Sequence, residues 1–371
     1  MNILYFFCED NTFMTQWQRI HIFNELEING HCIEVFNPNN YSSIEEANDK
    51  FDKYLHKTKN NYDLFMTCHG DSYVYKETIQ TVKAKGIPTL LICFDNLHAP
   101  FMHKNIACYF DLVWLTSYET KYLFEKWNCN NIIIQPYAAN PHIFTTTNQI
   151  KKTIFSVCFI GTPYGSRINK LNTLTNAKVY CDLYTDNFKT SQRLENIKNI
   201  IPKTDNLLRT IIQASYFDIG RKIMISSLIN KIFYLNKLNN DNNSYLNIHN
   251  SISFQEMQEL YSCYALSLNI TELRNTYILN KPIHKIHLRT FEIPMCGGLQ
   301  LASYSKELSS YFEEDKEIIL YKTEDELISK CNFYLNPKNE SLLIEIKKNA
   351  RRRAQSDHTW INRFNNVFKL I

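Results

Sequence analysis

The densest group of chemistry-bearing residues runs Ile286-His287-Leu288-Arg289-Thr290-Phe291-Glu292-Ile293-Pro294-Met295-Cys296-Gly297-Gly298-Leu299. Arg289 and Glu292 stand three apart, so a helix places them on one face near its start. Unpaired N–H groups and the helix dipole favour an anion there. A guanidinium beside backbone donors suits the oxygens of a nucleotide diphosphate, and a nearby carboxylate suits ribose hydroxyls. Gly297 and Gly298 let the chain turn into the next strand and let bare backbone approach a ligand. The plainer alternative is an intrahelical ion pair followed by a helix stop.

A second candidate is the turn Gly161-Thr162-Pro163-Tyr164-Gly165, where backbone amides can face a ligand and Arg167 or Lys170 can reach a pyrophosphate. A simple tight turn is its alternative. Two further segments, Cys68-His69-Gly70-Asp71 and Phe94-Asp95-Asn96-Leu97-His98, carry titratable groups at expected strand ends. Asp95, His98 and His69 are the candidates for a general base. A histidine at such an end also serves structure alone. The cluster Lys347, Lys348, Arg351, Arg352 and Arg353 reads as a solvated helix face or as a peripheral contact with anionic lipid. Glu313-Glu314-Asp315 reads as a surface turn, and no His or Cys pair has zinc spacing, so no metal and no cofactor are expected.

These residues need elements to hold them. The chain has 371 residues and 8 glycines, about a third of the usual ~7% share. It has neither a G-x-G-x-x-G fingerprint nor a P-loop. With 44% hydrophobic and 21% charged residues, collagen-like and strongly disordered classes are excluded. The length suits two domains. Short apolar runs at 3–8, 31–36, 62–68, 87–94, 112–115 and 132–135 alternate with helical stretches at 13–29, 42–57, 72–85, 100–108 and 117–127. Residues 136–152 read as a linker, because the apolar periodicity lapses. The pattern resumes with strands at 153–160, 179–184, 265–270, 299–303 and 318–321. Helices are expected from 166 and at 205–238, 255–262, 287–296, 323–335 and 338–355.

The expected class is α/β, with two facing parallel-sheet domains. Residues 1–145 form the first domain, 151–350 form the second, and a terminal helix over 351–371 packs back across the cleft. Ligands are expected at the carboxyl ends of the strands in that cleft. A formal net charge of +4, without a basic stripe, argues against a nucleic-acid partner. Eleven scattered cysteines, no C-x-x-C and no signal-peptide pattern suggest reduced thiols in a cytoplasm. No apolar run of about 18 residues is present to span a membrane.

The segment from Ser253 to Phe368 resembles the C-terminal domain of the CgeB-like glycosyltransferases, a branch of the GT-B class. The matching residues are Leu268-Asn269-Ile270, Arg289-Thr290-Phe291-Glu292 with Gly297-Gly298, Glu307-Leu308 with Phe312, and Glu317-Ile318-Ile319. The match continues through Glu326-Leu327 and Tyr334-Leu335 to His358-Thr359-Trp360 and Arg363. Upstream, Phe110-Asp111-Leu112, Pro136 to Pro141, and Val157 to Gly161 with Arg167 also look like that family. The resemblance implies a GT-B fold of two Rossmann-like domains. It also implies transfer of a sugar from a nucleotide-diphosphate donor, bound by the second domain, to a glycan, lipid or protein acceptor, without metal. It makes Glu292 the ribose ligand and adds Asn269 and His287 to the donor site. Many relatives carry a glutamate seven positions before the ribose ligand, where this chain has Lys285; His284 or His287 is the expected stand-in. Two alternatives share the architecture: a nucleotide-sugar epimerase, and a nucleotide- or glycan-binding protein without turnover.

Overall fold

The computed structural model describes residues 1–10, 12–57, 61–146, 152–186, 204–233, 238 and 243–371. It divides into two units, Met1–Ile143 with His358–Ile371, and Phe144–Asp357. The first holds six parallel strands: β1 (Asn2–Phe6), β2 (Cys32–Phe36), β3 (Leu64–Thr67), β4 (Thr89–Cys93), β5 (Leu112–Leu115) and β6 (Ile132–Ile134), in the order β2-β1-β3-β4-β5-β6. Every residue of β3, β4 and β5 is buried, which is why these strands read as unbroken apolar runs. Leu4, Phe6, Phe51, Phe65 and Leu91 are among the side chains that join them to the covering helices.

The second unit holds β7 (Ile154–Ile160), β8 (Cys181–Tyr184), β9 (Leu246–His249), β10 (Tyr264–Asn269), β11 (Gln300–Ser303) and β12 (Ile319–Tyr321), in the order β12-β11-β10-β7-β8-β9. Counted within the unit this is the 3-2-1-4-5-6 order of dinucleotide-binding folds, reversing between β7 and β10. Each of the eleven strands expected from sequence is present. The added strand is β9, a sheet-edge segment whose buried apolar residue is Leu246.

Several expected elements change on folding. The helix at 100–108 is two 3-10 turns, Pro100–His103 and Ala107–Tyr109. The helix at 205–238 is two helices, Thr204–Ser215 and Asp218–Phe233; its last residues, apart from Leu238, lie outside those described. Gly220 permits their close crossing, because a Cβ there would collide with the carbonyl of Ala214. Residues 136–143, expected in a linker, belong to the first unit, with Tyr137, Ala138, Ala139 and Asn140 buried. Asn140 Nδ2 donates to the Ile20 carbonyl (2.7 Å) and Ala139 N to that of His358 (3.0 Å). Of the basic cluster at 347–353, Lys347 Nζ donates to the carbonyls of Ser262 (2.9 Å) and Tyr264 (2.6 Å), and burial lowers it to about 8. Arg351 bonds Thr146, and Arg353 pairs with Glu317 and Asp357. Three of its five cations therefore hold the unit's own groups. Among the described residues no helix is long and apolar enough to cross a membrane.

The terminal segment is divided. One helix runs Glu340–Asp357, and a second, Trp360–Phe368, follows the break at His358 and Thr359 and packs in the first unit. Trp360 N and Ile361 N donate to the Glu25 carboxylate at 3.1 and 3.0 Å, and Trp360 Nε1 donates to His21 Nδ1 at 3.1 Å. Burial pushes the Glu25 carboxyl up to about 7 despite those two donors. The folded chain thus holds this proton more tightly than the unfolded one, so stability is full below about 4.5 and is lost as pH climbs through about 7. Glu25→Gln is expected to flatten that slope by on the order of 2 kcal/mol between pH 4.5 and 8, read as the difference between wild-type and variant melting curves.

Candidate functional site

In the second unit the carboxyl ends of β7 and β10 lie at the reversal of strand order, where such sheets bind ligands. Gly161 follows β7 with φ +141°, and the Arg289 guanidinium fills the space a Cβ would need. No other residue type leaves room for that guanidinium in that backbone conformation. Arg167, second in the helix Ser166–Asn176, donates from Nη1 to the Thr162 carbonyl (2.9 Å). Arg167 and Arg289 each hold the guanidinium carbon 5.7 Å from the Phe159 ring centre, and Arg167 also lies over Tyr164 at 4.4 Å. Burial, and then the neighbouring charge of Arg289, lowers Arg167 to about 10. Two guanidinia thus crowd one buried ring and favour a multivalent anion there.

His287 stands beside them with Nε2 3.3 Å from the Ile270 carbonyl. A carbonyl only accepts, so Nε2 carries the proton. Burial, then Arg289 and Arg167, holds the ring well below its usual range, hence neutral. Glu292 is buried one turn beyond Arg289. The helix they share spans seven residues, Arg289–Met295, with Pro294 inside. The charge expected from a helix dipole is thus carried mainly by the guanidinia.

Other expected donor residues take different places. Asn269, last in β10, is buried and donates to Thr290 Oγ1 (3.1 Å) and Gln300 Oε1 (2.9 Å). It fixes the start of the Arg289 helix, and among the described residues its buried Oδ1 has no hydrogen-bond partner. Lys170 turns away from the guanidinia to Glu324, 3.5 Å away, and lies 5.8 Å from the Tyr321 ring. Gly297 and Gly298 approach their own chain, at Thr146 and at Tyr261 with Ile293. His284 Nδ1 lies 2.9 Å from Thr271 Oγ1, and Lys285 N donates to the Thr271 carbonyl (2.8 Å).

That last pairing reveals a group the sequence reading missed. Glu272, three residues past β10, bridges to His284 in antiparallel register, which sets it beside Lys285. It is buried, and among the described residues its Oε2 has no hydrogen-bond partner. A search by spacing from Glu292 does not reach it, because the hairpin brings it in from the other limb.

In the first unit the strand order reverses at β1 and β3. His69 Nε2 accepts from Cys8 N at 2.8 Å, so the neutral ring carries its proton on Nδ1. Burial lowers it to about 4. His69 therefore fastens the ends of β1 and β3 and has no free lone pair for base catalysis. Asp95 is exposed in the turn after β4, and its backbone carbonyl accepts from His98 N (3.3 Å) and Ala99 N (3.0 Å). Asn96, overlooked in the sequence, pins that turn. Its Nδ2 reaches Ser117 O and Thr120 Oγ1, both at 2.7 Å, and its Oδ1 accepts from Thr116 N and Ser117 N at 3.0 and 3.2 Å.

A further polar cavity of about 660 Å³ opens past the end of β1, lined by Glu9, Asp10, Gln16, Arg19, Ile20 and Asn37. Arg19 grips Glu9 through Nε and through Nη2 (2.8 Å), and Asn37 brackets the Glu9 backbone at 2.9 and 3.2 Å. Carboxylates, amides and a guanidinium held in this way offer the in-plane donors and acceptors that sugar hydroxyls need.

Residues 229–369 match a family model described as glycosyl transferase-like. Among solved structures, the chain is similar to HepE from Anabaena in complex with UDP and glucose, at 13% identity and TM-score 0.59 with both chains fully covered. The fold is GT-B. A glycosyltransferase from Rickettsia africae shares it at 11% identity and TM-score 0.59, covering 100% of this chain and 97% of that one. So does sucrose-phosphate synthase from Thermosynechococcus elongatus, at 12% identity and TM-score 0.54, covering 99% and 98%. No curated protein matches the chain in sequence.

Proposed function

We propose that the protein is a glycosyltransferase of the CgeB-like branch, moving a sugar from a nucleotide-diphosphate donor to a hydroxyl-bearing acceptor. The observation that carries this reading is the convergence of Arg167 and Arg289 on Phe159 at the end of β7. The guanidinia bind the diphosphate and stabilise the charge that grows on it as the sugar–oxygen bond breaks. Glu292 holds the ribose, and neutral His287 offers its Nδ1 lone pair to a donor hydroxyl. Glu272 supplies the carboxylate absent at Lys285 and accepts from sugar hydroxyls. Asp95, exposed in the turn after β4, is the candidate base for the acceptor hydroxyl. The polar cavity at Glu9 and Arg19 suits a hydroxyl-rich acceptor. HepE, solved with UDP-glucose, makes that donor the first to try.

The test is product analysis of UDP-glucose and other nucleotide-diphosphate sugars, with and without a panel of saccharide acceptors. Diphosphate release with a sugar-extended acceptor is expected, and it should persist in EDTA, since arginines carry the leaving-group charge. A new sugar epimer with no diphosphate released would make the chain an epimerase. Tight binding of every donor with no turnover would favour the non-catalytic reading, which Lys285 keeps open. Glu272→Gln is expected to lower kcat/KM for the donor about tenfold or more while free nucleoside diphosphate binds unchanged, since the lost contact is to the sugar.

A further inference from the structure

The helices Thr204–Ser215 and Asp218–Phe233 lie between β8 and β9 in sequence. In the C-terminal half of the longer helix, the side turned to its own unit is polar. Ser226 is buried, Ser227 Oγ accepts from Asn275 Nδ2 (3.4 Å), and Asn230 Oδ1 accepts from Tyr277 Oη (3.1 Å). The opposite side carries Ile225, Leu228, Ile232 and Phe233, which are 53%, 59%, 61% and 73% exposed. At about 100° per residue the three aliphatic side chains form one narrow stripe. Ile211 and Ile212 on the neighbouring helix and Tyr216 at the turn are exposed too. A helix that only packs in a soluble domain turns its apolar stripe inward. Here the half that contacts the domain is polar and the half that faces out is apolar, and a grouping of this size marks a contact surface.

Charge selects the occupant. Arg221 and Lys222 precede Ile225 by one turn, Lys231 adjoins Ile232, and Arg209 lies on the shorter helix. Among the described side chains of the pair, Asp218 is the one carboxylate, paired with Lys222 (2.5 Å) and Arg221 (3.7 Å). Four cations against one anion among the described side chains, bordering an exposed apolar stripe, match an anionic bilayer surface: apolar side chains enter the headgroup boundary and cations meet lipid phosphates. At sixteen residues the longer helix lies on such a surface and does not cross it. We propose that this helical pair docks the second unit onto anionic lipid membranes, independently of which reaction the protein catalyses.

The test is flotation of the full chain with vesicles of phosphatidylcholine alone or mixed with phosphatidylglycerol. Binding is expected to the mixed vesicles, weakening with added salt. The variant Ile225→Ser/Leu228→Ser/Ile232→Ser/Phe233→Ser is expected to lose about tenfold or more in partitioning. Lys222→Gln/Lys231→Gln is expected to lose a smaller factor, together with much of the salt sensitivity. All the substituted side chains are exposed, and an unchanged circular dichroism spectrum confirms that each variant folds. Absence of wild-type binding to the mixed vesicles would overturn the proposal, as would equal binding by the apolar variant. It would also be overturned if the apolar variant turned a wild-type dimer into a monomer without altering vesicle binding, because a second copy would then be the occupant.

Discussion

Arg289→Ala is expected to lower donor kcat/KM by about 10²–10³, the cost of removing one preorganised charge contact to a leaving group. The residue sits on no flexible surface. Its guanidinium occupies the space over Gly161 and faces the Phe159 ring, so its position is set before any ligand arrives. Arg289→Lys should recover little, because an ammonium cannot reproduce the planar fork that meets two phosphate oxygens. Gly161→Ala is expected to approach the same loss while keeping the charge, since the new Cβ displaces the guanidinium and strains a backbone at positive φ. Steady-state kinetics on the three variants separates charge from position. Full activity in Gly161→Ala would show that the observed seat of Arg289 is not the functional one.

Trp360→Ala is expected to destabilise the first unit by about 3–5 kcal/mol. The indole is completely buried, lies 6.1 Å from Trp17 and 6.2 Å from Trp114 between ring centres, and donates to His21. Its loss leaves a cavity and removes the donor to His21 Nδ1 in the place where the end of the chain returns to the first unit. Urea denaturation followed by tryptophan fluorescence and circular dichroism should show an early transition, treated as one of two because the chain has two units. Nucleotide binding, proposed for the other unit, should survive below that transition. A change under about 1 kcal/mol would mean that the terminal helix contributes little to the fold.

The sheets were legible because their strands are buried runs such as Leu90-Leu91-Ile92 and Phe65-Met66, whose apolarity needs no partner to be read. β9 was not, since an edge strand of four residues with a polar Asn247 carries a weak pattern. The helix at 100–108 failed because Pro100 and the turn at Lys104 and Asn105 break a periodicity that the apolar residues suggest. In the site, Arg289, Arg167 and Gly161 were legible as types at spacings, and they do come together. Lys170, Asn269 and His69 were legible as candidates, but each is held by its own chain: a carboxylate, a buried amide triangle and a backbone N–H respectively. Such partners lie 154, 31 and 61 residues away, a distance that local reading does not span. Glu272 was illegible for the same reason, as its neighbour His284 is set by a hairpin register.

The proposed diphosphate pocket of Arg167 and Arg289 is tested by titration calorimetry of the wild-type chain with UDP against UMP, repeated with GDP and GMP. In one base series the diphosphate is expected to bind at least about tenfold tighter than the monophosphate, with a preference that shrinks with salt and disappears in Arg289→Ala. Equal affinity for mono- and diphosphate in both series, or no binding in either, would contradict it.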